Sequence, residues 1–347
     1  MSIASPALWM ITVGAVLLLL VFDFALTHTP HEVSTREAAG WSAFYLALPL
    51  AFAAWIWAAH GSSTGTEFLT GYIVEKSLSV DNLFVFMLLL GAFAVPPAFS
   101  QRVLLFGIAG ALVLRGVFIA IGAAALHAFT ATFLLFGLIL LATAVKVLRD
   151  ARGDQHDVDV SDLRSVRLLR RFFPVTDGYR GPALSVVEDG RRALTPLAVV
   201  VVAVLATDVV FAVDSVPAVF GITDDPYLVF ATNAFALLGL RALYFLLNSL
   251  LRRLVHLGYG LAAILGLIGA KLVLHWAHGI WPAVPEVPTP VSLFSILGIL
   301  ALVTVTSLIA TRNGPEGTTT PGPGTSEIDG EVIGEIAPES TRTSGTS

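Results

Sequence analysis

Tyr72-Ile73-Val74-Glu75-Lys76-Ser77-Leu78-Ser79-Val80-Asp81-Asn82-Leu83-Phe84-Val85-Phe86 decides how this chain folds. It runs into Met87-Leu88-Leu89-Leu90, so two acids and a lysine sit inside an apolar segment long enough to cross a bilayer. A charge at mid-membrane costs roughly 2.5–3.5 kcal/mol on insertion scales, and such residues face polar pathways. The stretch has an echo in Thr207-Asp208-Val209-Val210-Phe211-Ala212-Val213-Asp214-Ser215-Val216-Pro217. Each segment places an acid, five residues and an aspartate within an apolar run.

The rest of the chain fits that reading. Of 347 residues 56% are hydrophobic and 13% charged, and the mean hydropathy is +0.82, which defines an all-α polytopic membrane protein. Cysteine is absent, so disulfides and thiolate metal sites are excluded and any metal must be held by oxygen or imidazole. No basic face for nucleic acid is present. The first apolar run lacks a basic leader and is expected to stay as a helix.

Nine apolar spans follow: 7–27, 41–60, 68–91, 102–126, 129–148, 196–220, 228–248, 256–277 and 291–311. Each is near the roughly 20 residues that a helix needs to cross the hydrocarbon, where backbone groups must be satisfied internally. The expected organisation is two helices in 1–67, a three-helix unit in 68–148, a polar loop in 149–192, a second three-helix unit in 193–277, a last helix in 278–311 and a disordered acidic tail in 312–347. The 149–192 loop carries nine arginines and eight acids, which places it in the cytoplasm. Arg36, Arg102 and Arg252-Arg253 then fall on the same side, the N-terminus outside and the C-terminus inside. Within the loop, Ser185–Val187 and Arg191–Leu194 flank Glu188-Asp189-Gly190 as a small hairpin. The loop is also the natural contact for a protein partner.

The echo extends past the acids. Ala111-Leu112-Val113-Leu114-Arg115 and a later Lys146 follow the first motif; Ala236-Leu237-Leu238-Gly239-Leu240-Arg241 and Lys271 follow the second. Arginine to lysine is 31 residues in one unit and 30 in the other. Three helices per unit insert the second unit from the opposite side, an inverted repeat with its site near the midplane.

Six residues on a straight helix turn through about 600°, so the acids of each pair stand about 120° and roughly 9 Å apart and cannot chelate one ion together. Either the helix breaks between them, as Pro217 favours in the second unit, or one acid binds while the other gates or relays protons. Asp81 and Asp214 are expected to meet at the pseudo-twofold axis. Two close carboxylates repel, and a divalent cation resolves the repulsion. Oxygen ligands, with Ser79, Asn82 and Ser215 beside the acids, suit magnesium, calcium or manganese, and binding must displace protons. The competing reading is structural: Arg115, Arg241, Lys146 and Lys271 neutralise the four acids as buried ion pairs. Lys76 is expected to snorkel, Asp23 to lie at an interface, and His275 and His278 to join Trp276 in an interfacial belt. No nucleophile-base-orienter set is apparent, so no enzyme is expected.

Glu75-Lys76-Ser77-Leu78-Ser79-Val80-Asp81-Asn82 and Asp208-Val209-Val210-Phe211-Ala212-Val213-Asp214-Ser215-Val216-Pro217-Ala218, the latter followed by Asn233 and Gly239-Leu240-Arg241-Ala242-Leu243-Tyr244-Phe245, resemble the two motifs of the TerC family, in particular its Alx-like subgroup. His31-Glu32-Val33-Ser34 and Phe173-Pro174-Val175-Thr176-Asp177 are similar too, and the resemblance spans about residues 10–310. It implies metal-ion homeostasis in the cytoplasmic membrane, chiefly Mn²⁺ export ahead of Ca²⁺ or Mg²⁺, with a link to tellurite resistance. Asp81, Asp214, Glu75 and Asp208 match the family's acidic positions, with Asn82, Ser215 and Asn233 as further candidates. Relatives often carry a glutamate three residues before the second motif's first aspartate; here Leu205 stands there. The alternative function is a membrane scaffold or metal-delivery partner that does not transport, and no resident cofactor is implied.

Overall fold

Long apolar runs punctuated by proline and glycine give nine helices and one two-stranded hairpin among the described residues of a computed structural model. Described are all residues except 1, 27–34, 154–174, 177, 179–180, 182, 189–190, 241–242, 245–255 and 314–347; the side chain of Asp81 also lies outside the description. The helices are α1 Pro6–Leu26, α2 Thr35–His60, α3 Ser62–Ala92, α4 Pro97–Ala128, α5 Ala131–Asp150, α6 Pro196–Phe220, α7 Pro226–Leu238, α8 Leu257–Ile280 and α9 Thr289–Asn313. The hairpin joins β1 Ser185–Glu188 to β2 Arg191–Leu194, antiparallel, with Ser185 opposite Leu194 and Glu188 opposite Arg191. The hairpin is where the sequence placed it, but Glu188, expected in the turn, is the last residue of β1 and pairs with Arg191. Residues 1–312 form one compact unit.

Helix starts follow their local chemistry. Pro97, Pro196 and Pro226 occupy the first turn of α4, α6 and α7, where a missing N–H costs nothing. Asp225 caps α7, its carboxylate accepting from the Tyr227 N–H at 2.9 Å. Only Gly61, at φ +93, separates α2 from α3, a backbone angle that glycine tolerates best.

Among the described residues, seven helices are long and apolar enough to cross a membrane. The other two are instructive. α3 has 31 residues but carries Glu67, Glu75, Lys76 and Asp81. α7 has 13 residues and stops at Gly239, about halfway along the expected 228–248 span. Eleven of its residues are buried, so it is an inner helix of the bundle. Large apolar side chains line the outside, among them Met10, Leu18, Val113, Ile121, Phe294 and Leu302, as a lipid-facing surface requires.

Small residues set the crossings. α5 packs along α8 so closely that a Cβ on Gly137 would stand 2.9 Å from the Gly269 carbonyl, and one on Gly269 would stand 3.0 Å from that of Gly137. α4 packs on α6, with Val204 filling the notch at Gly107 and Leu205 that at Gly110. α3 packs on α7, with Thr232 filling the notch at Gly71. α3 also meets α6, and α4 meets α7.

Two expectations are corrected. α6 stays helical through Pro217 to Phe220. The proline lies in the last turn, where losing one bond does not unwind what precedes it. Nor is α3 broken between its acids. The interruption falls in α7, at Gly239.

Candidate ion site

Tyr72, Glu75, Ser79 and Asn82 follow one another at helical spacing, so they share one face of α3. All four are buried. On α6, Asp208 and Ser215 are seven residues apart and share the buried face, while Asp214 points elsewhere and is half-buried. α4 contributes Arg115 and α7 contributes Asn233.

These residues converge on the Arg115 guanidinium, which is 0% exposed. Its Nη1 donates to Glu75 Oε1 and to Asn233 Oδ1, the latter at 2.9 Å. Nη2 donates to Asp208 Oδ1 at 3.1 Å and Nε to Asp208 Oδ2 at 3.3 Å, a bidentate fork. Turned so that its nitrogen donates to the Leu78 carbonyl, Asn82 offers its oxygen to Nη2 at 3.1 Å. Asn233 is itself steered by Nδ2, which donates to the Val229 carbonyl at 3.0 Å. One arginine from the first unit thus ties together acids from both.

The charge does not balance. Glu75 and Asp208 against Arg115 leave a net −1. Asp214 adds another negative charge within Coulombic reach of Arg115 and Glu75, with no ion-pair partner among the described residues. Lys146, exposed near the end of α5, acts on Asp214 only through space. Several oxygens near this centre are also unsatisfied. Glu75 Oε2, Tyr72 Oη, Ser79 Oγ and Ser215 Oγ are buried without hydrogen-bond partners. A buried polar group left unpaired costs about 1–3 kcal/mol, so such groups call for a ligand or water.

The remaining predicted positions fall as follows. Arg241 lies outside the described residues, as does the side chain of Asp81. Lys271 does not join the acids. It lines a separate cavity of about 360 Å³ with Glu67, Asp224, His275 and Glu286. His275 is held there by Glu286 at 2.9 Å. Among the described residues no three of His, Asp and Glu are grouped to chelate a metal by themselves, so amide and hydroxyl oxygens would have to complete any cation shell. Leu205 faces Gly110 of α4. Asp23 is buried, 3% exposed, and accepts from the Tyr45 hydroxyl at 3.4 Å.

Lys76 is the residue that the sequence places wrongly. It does not snorkel. Midway along α3, its Nζ donates to the Ala236 carbonyl at 3.1 Å, in the last turn of α7. Carbonyls there lack intrahelical partners and favour a cation. A Cβ on Gly239 would stand 3.0 Å from that nitrogen, so the glycine makes room for it. The visible signal was Gly239 inside an otherwise apolar span.

Seven apolar spanning helices around a buried, hydrogen-bonded centre of two carboxylates and an arginine define a polytopic membrane protein with a polar interior. Residues 60–314 match the integral membrane protein TerC family, and the chain belongs to that family. It is 44% identical over 281 residues to an uncharacterised membrane protein of Mycobacterium tuberculosis, covering 79% of this chain and 70% of the relative. It is 38% identical over 315 residues to Alx of Photorhabdus laumondii, whose name describes a candidate membrane-bound redox modulator, covering 88% and 95%. It is 36% identical over 320 residues to the tellurium resistance protein TerC of Serratia marcescens, covering 86% and 91%. No solved structure matches the chain.

Proposed function

We propose that the protein exports a divalent cation, Mn²⁺ ahead of Ca²⁺ and Mg²⁺, across the cytoplasmic membrane. The observation that carries this reading is the uncompensated charge. Glu75, Asp208 and Asp214 outnumber Arg115 and Lys76, the latter within Coulombic reach of Glu75, and the net negative charge left in an otherwise apolar bundle is what a cation would offset. Asp81 and Asp214 hold the ion, with Asn82, Ser215 and Asn233 as neutral oxygen donors; Glu75 and Asp208 gate it or carry protons. Oxygen donors fit hard cations, and the Mn²⁺ choice comes from the family resemblance. The tellurium resistance in one relative's name fits a role in handling metal or metalloid load.

Alternating access by an inverted repeat is supported by how the glycine notches exchange sides. Gly71 of α3 takes Thr232 of α7, while Gly107 of α4 takes Val204 of α6. Swapping the units exchanges these two contacts. With the arginine-rich loop inside, the N-terminus lies outside and the C-terminus in the cytoplasm. The test is manganese accumulation in cells expressing the wild type or Asp214→Asn. Lower manganese with the wild type alone supports the reading; identical levels in both remove it.

A second reading, a scaffold or metal-delivery partner, draws on the folded hairpin. Thr195, the residue before α6, anchors it by donating its N–H to the Leu184 carbonyl at 3.0 Å and its hydroxyl to that of Ala183 at 2.7 Å, and Val187 is 71% exposed. Deleting 152–190 separates the two: a transporter keeps flux in vesicles, and a scaffold loses its partners.

A further inference from the structure

The oxygens around the Arg115 guanidinium are those that a hard cation would choose. Glu75 Oε1, both carboxylate oxygens of Asp208, Asn233 Oδ1 and Asn82 Oδ1 converge from α3, α6 and α7. Mg²⁺ and Mn²⁺ take about six oxygen ligands and Ca²⁺ about 6–8. Two further buried oxygens on the same face of α3, Glu75 Oε2 and Ser79 Oγ, have no partner. A guanidinium uses this shell incompletely: it brings one positive charge to two carboxylates and leaves an oxygen of Glu75 unbonded.

We infer that Arg115 is a tethered stand-in for the transported cation, and that the two trade places. The inference rests on the transport reading and revises its assignment of roles: Glu75 and Asp208, with Asn82 and Asn233, seat the ion, and Asp214 receives the displaced arginine. In the empty protein Arg115 holds Glu75 and Asp208. An arriving divalent cation takes that oxygen shell, and the guanidinium moves to Asp214, which has no ion-pair partner among the described residues and lies within its Coulombic reach. After the exchange the cation meets Glu75 and Asp208, and Arg115 meets Asp214, so each carboxylate has a cationic neighbour. Before it, Asp214 has no ion-pair partner among the described residues. The arginine also makes a poor leak path, since a fixed cation in the seat repels a second one when no substrate is present.

The consequence is counterintuitive. Removing a positive charge from the lipid interior should strengthen metal binding, because the seat is otherwise filled and apparent affinity falls with the fraction of protein in which it is open. The experiment is Mn²⁺ titration of purified full-length protein in detergent, by calorimetry, for wild type, Arg115→Met and Arg115→Lys. Arg115→Met is expected to bind Mn²⁺ at least about tenfold more tightly than wild type. Arg115→Lys, which keeps the charge but loses the fork, falls between them. Added guanidinium ion should compete with Mn²⁺ in Arg115→Met and leave wild type unaffected. Where Arg115→Met does not purify, Arg115→Lys carries the same test. Wild type that binds Mn²⁺ with both variants binding no more tightly overturns the exchange and leaves the transport reading standing. Absence of Mn²⁺ binding in every form overturns both.

Discussion

The two segments expected as three-helix units, 68–148 and 193–277, carry matching charges in sequence, and the fold places them differently. In the first, α3 runs unbroken for 31 residues and presents Tyr72, Glu75, Ser79 and Asn82 on one buried face, while Lys76 reaches across to α7. In the second, α6 brings only Asp208 to the shared centre and leaves Asp214 half-buried beside it, and α7 stops at Gly239. Arg115 belongs to the first unit but holds an acid of each. Each segment brings an acid to Arg115, while Asp214 has no ion-pair partner among the described residues. A fully symmetric ion-pair network would have been a structural cross-link. On the proposed reading, that imbalance is what a bound cation would offset.

The comparison can be broken most severely at Arg115. Arg115→Ala leaves Glu75 and Asp208 buried without their counter-charge, and stripping one partner from a buried pair costs about 3–5 kcal/mol. Thermal unfolding in detergent should show the largest loss of stability of any substitution considered. Next comes the loss of one acid. Glu75→Gln and Asp208→Asn each remove a charge-assisted bond worth about 1.5–3 kcal/mol, and the same melts should rank them below Arg115→Ala. If the two units were equivalent about Arg115, the two substitutions would cost the same. The bidentate fork makes Asp208→Asn the costlier.

Gly137→Val tests the seam between the units. Its side chain would run into the Gly269 carbonyl, and overpacking of this kind costs about 1–3 kcal/mol. The smallest effect belongs to Lys76→Met, which keeps the stem and loses a charge-assisted bond to the Ala236 carbonyl worth about 1.5–3 kcal/mol, largely offset because a buried ammonium no longer has to be desolvated. A loss as large as that of Arg115→Ala would mean that Lys76, not Arg115, is the main tie between α3 and its neighbours.

Much of this was legible from residue order. Apolar length located the helices, the turn residues around Asp189-Gly190 located the hairpin, and the expense of charge in lipid singled out Glu75, Asp208 and Asp214. Partner choice was not legible. Arg115 reads as one of four basic residues available to four acids, and only the crossing of α3, α4 and α6 at their glycine notches brings it to Glu75 and Asp208 together. Lys76 was misplaced for a related reason. Snorkelling assumes a lipid-facing stem, whereas the end of α7 supplies carbonyls inside the bundle. Pro217 was the conspicuous helix breaker, but position within the last turn robs it of consequence, and Gly239 makes the interruption.

The most direct measurement is cation flux in vesicles reconstituted with the full-length protein, over Mn²⁺, Ca²⁺ and Mg²⁺, for wild type and Asp214→Asn. Mn²⁺ flux through wild type that exceeds the other two and falls to the protein-free level in Asp214→Asn is the predicted result. No flux of any of the three through wild type, or flux unchanged by the substitution, would contradict a carboxylate-lined cation path.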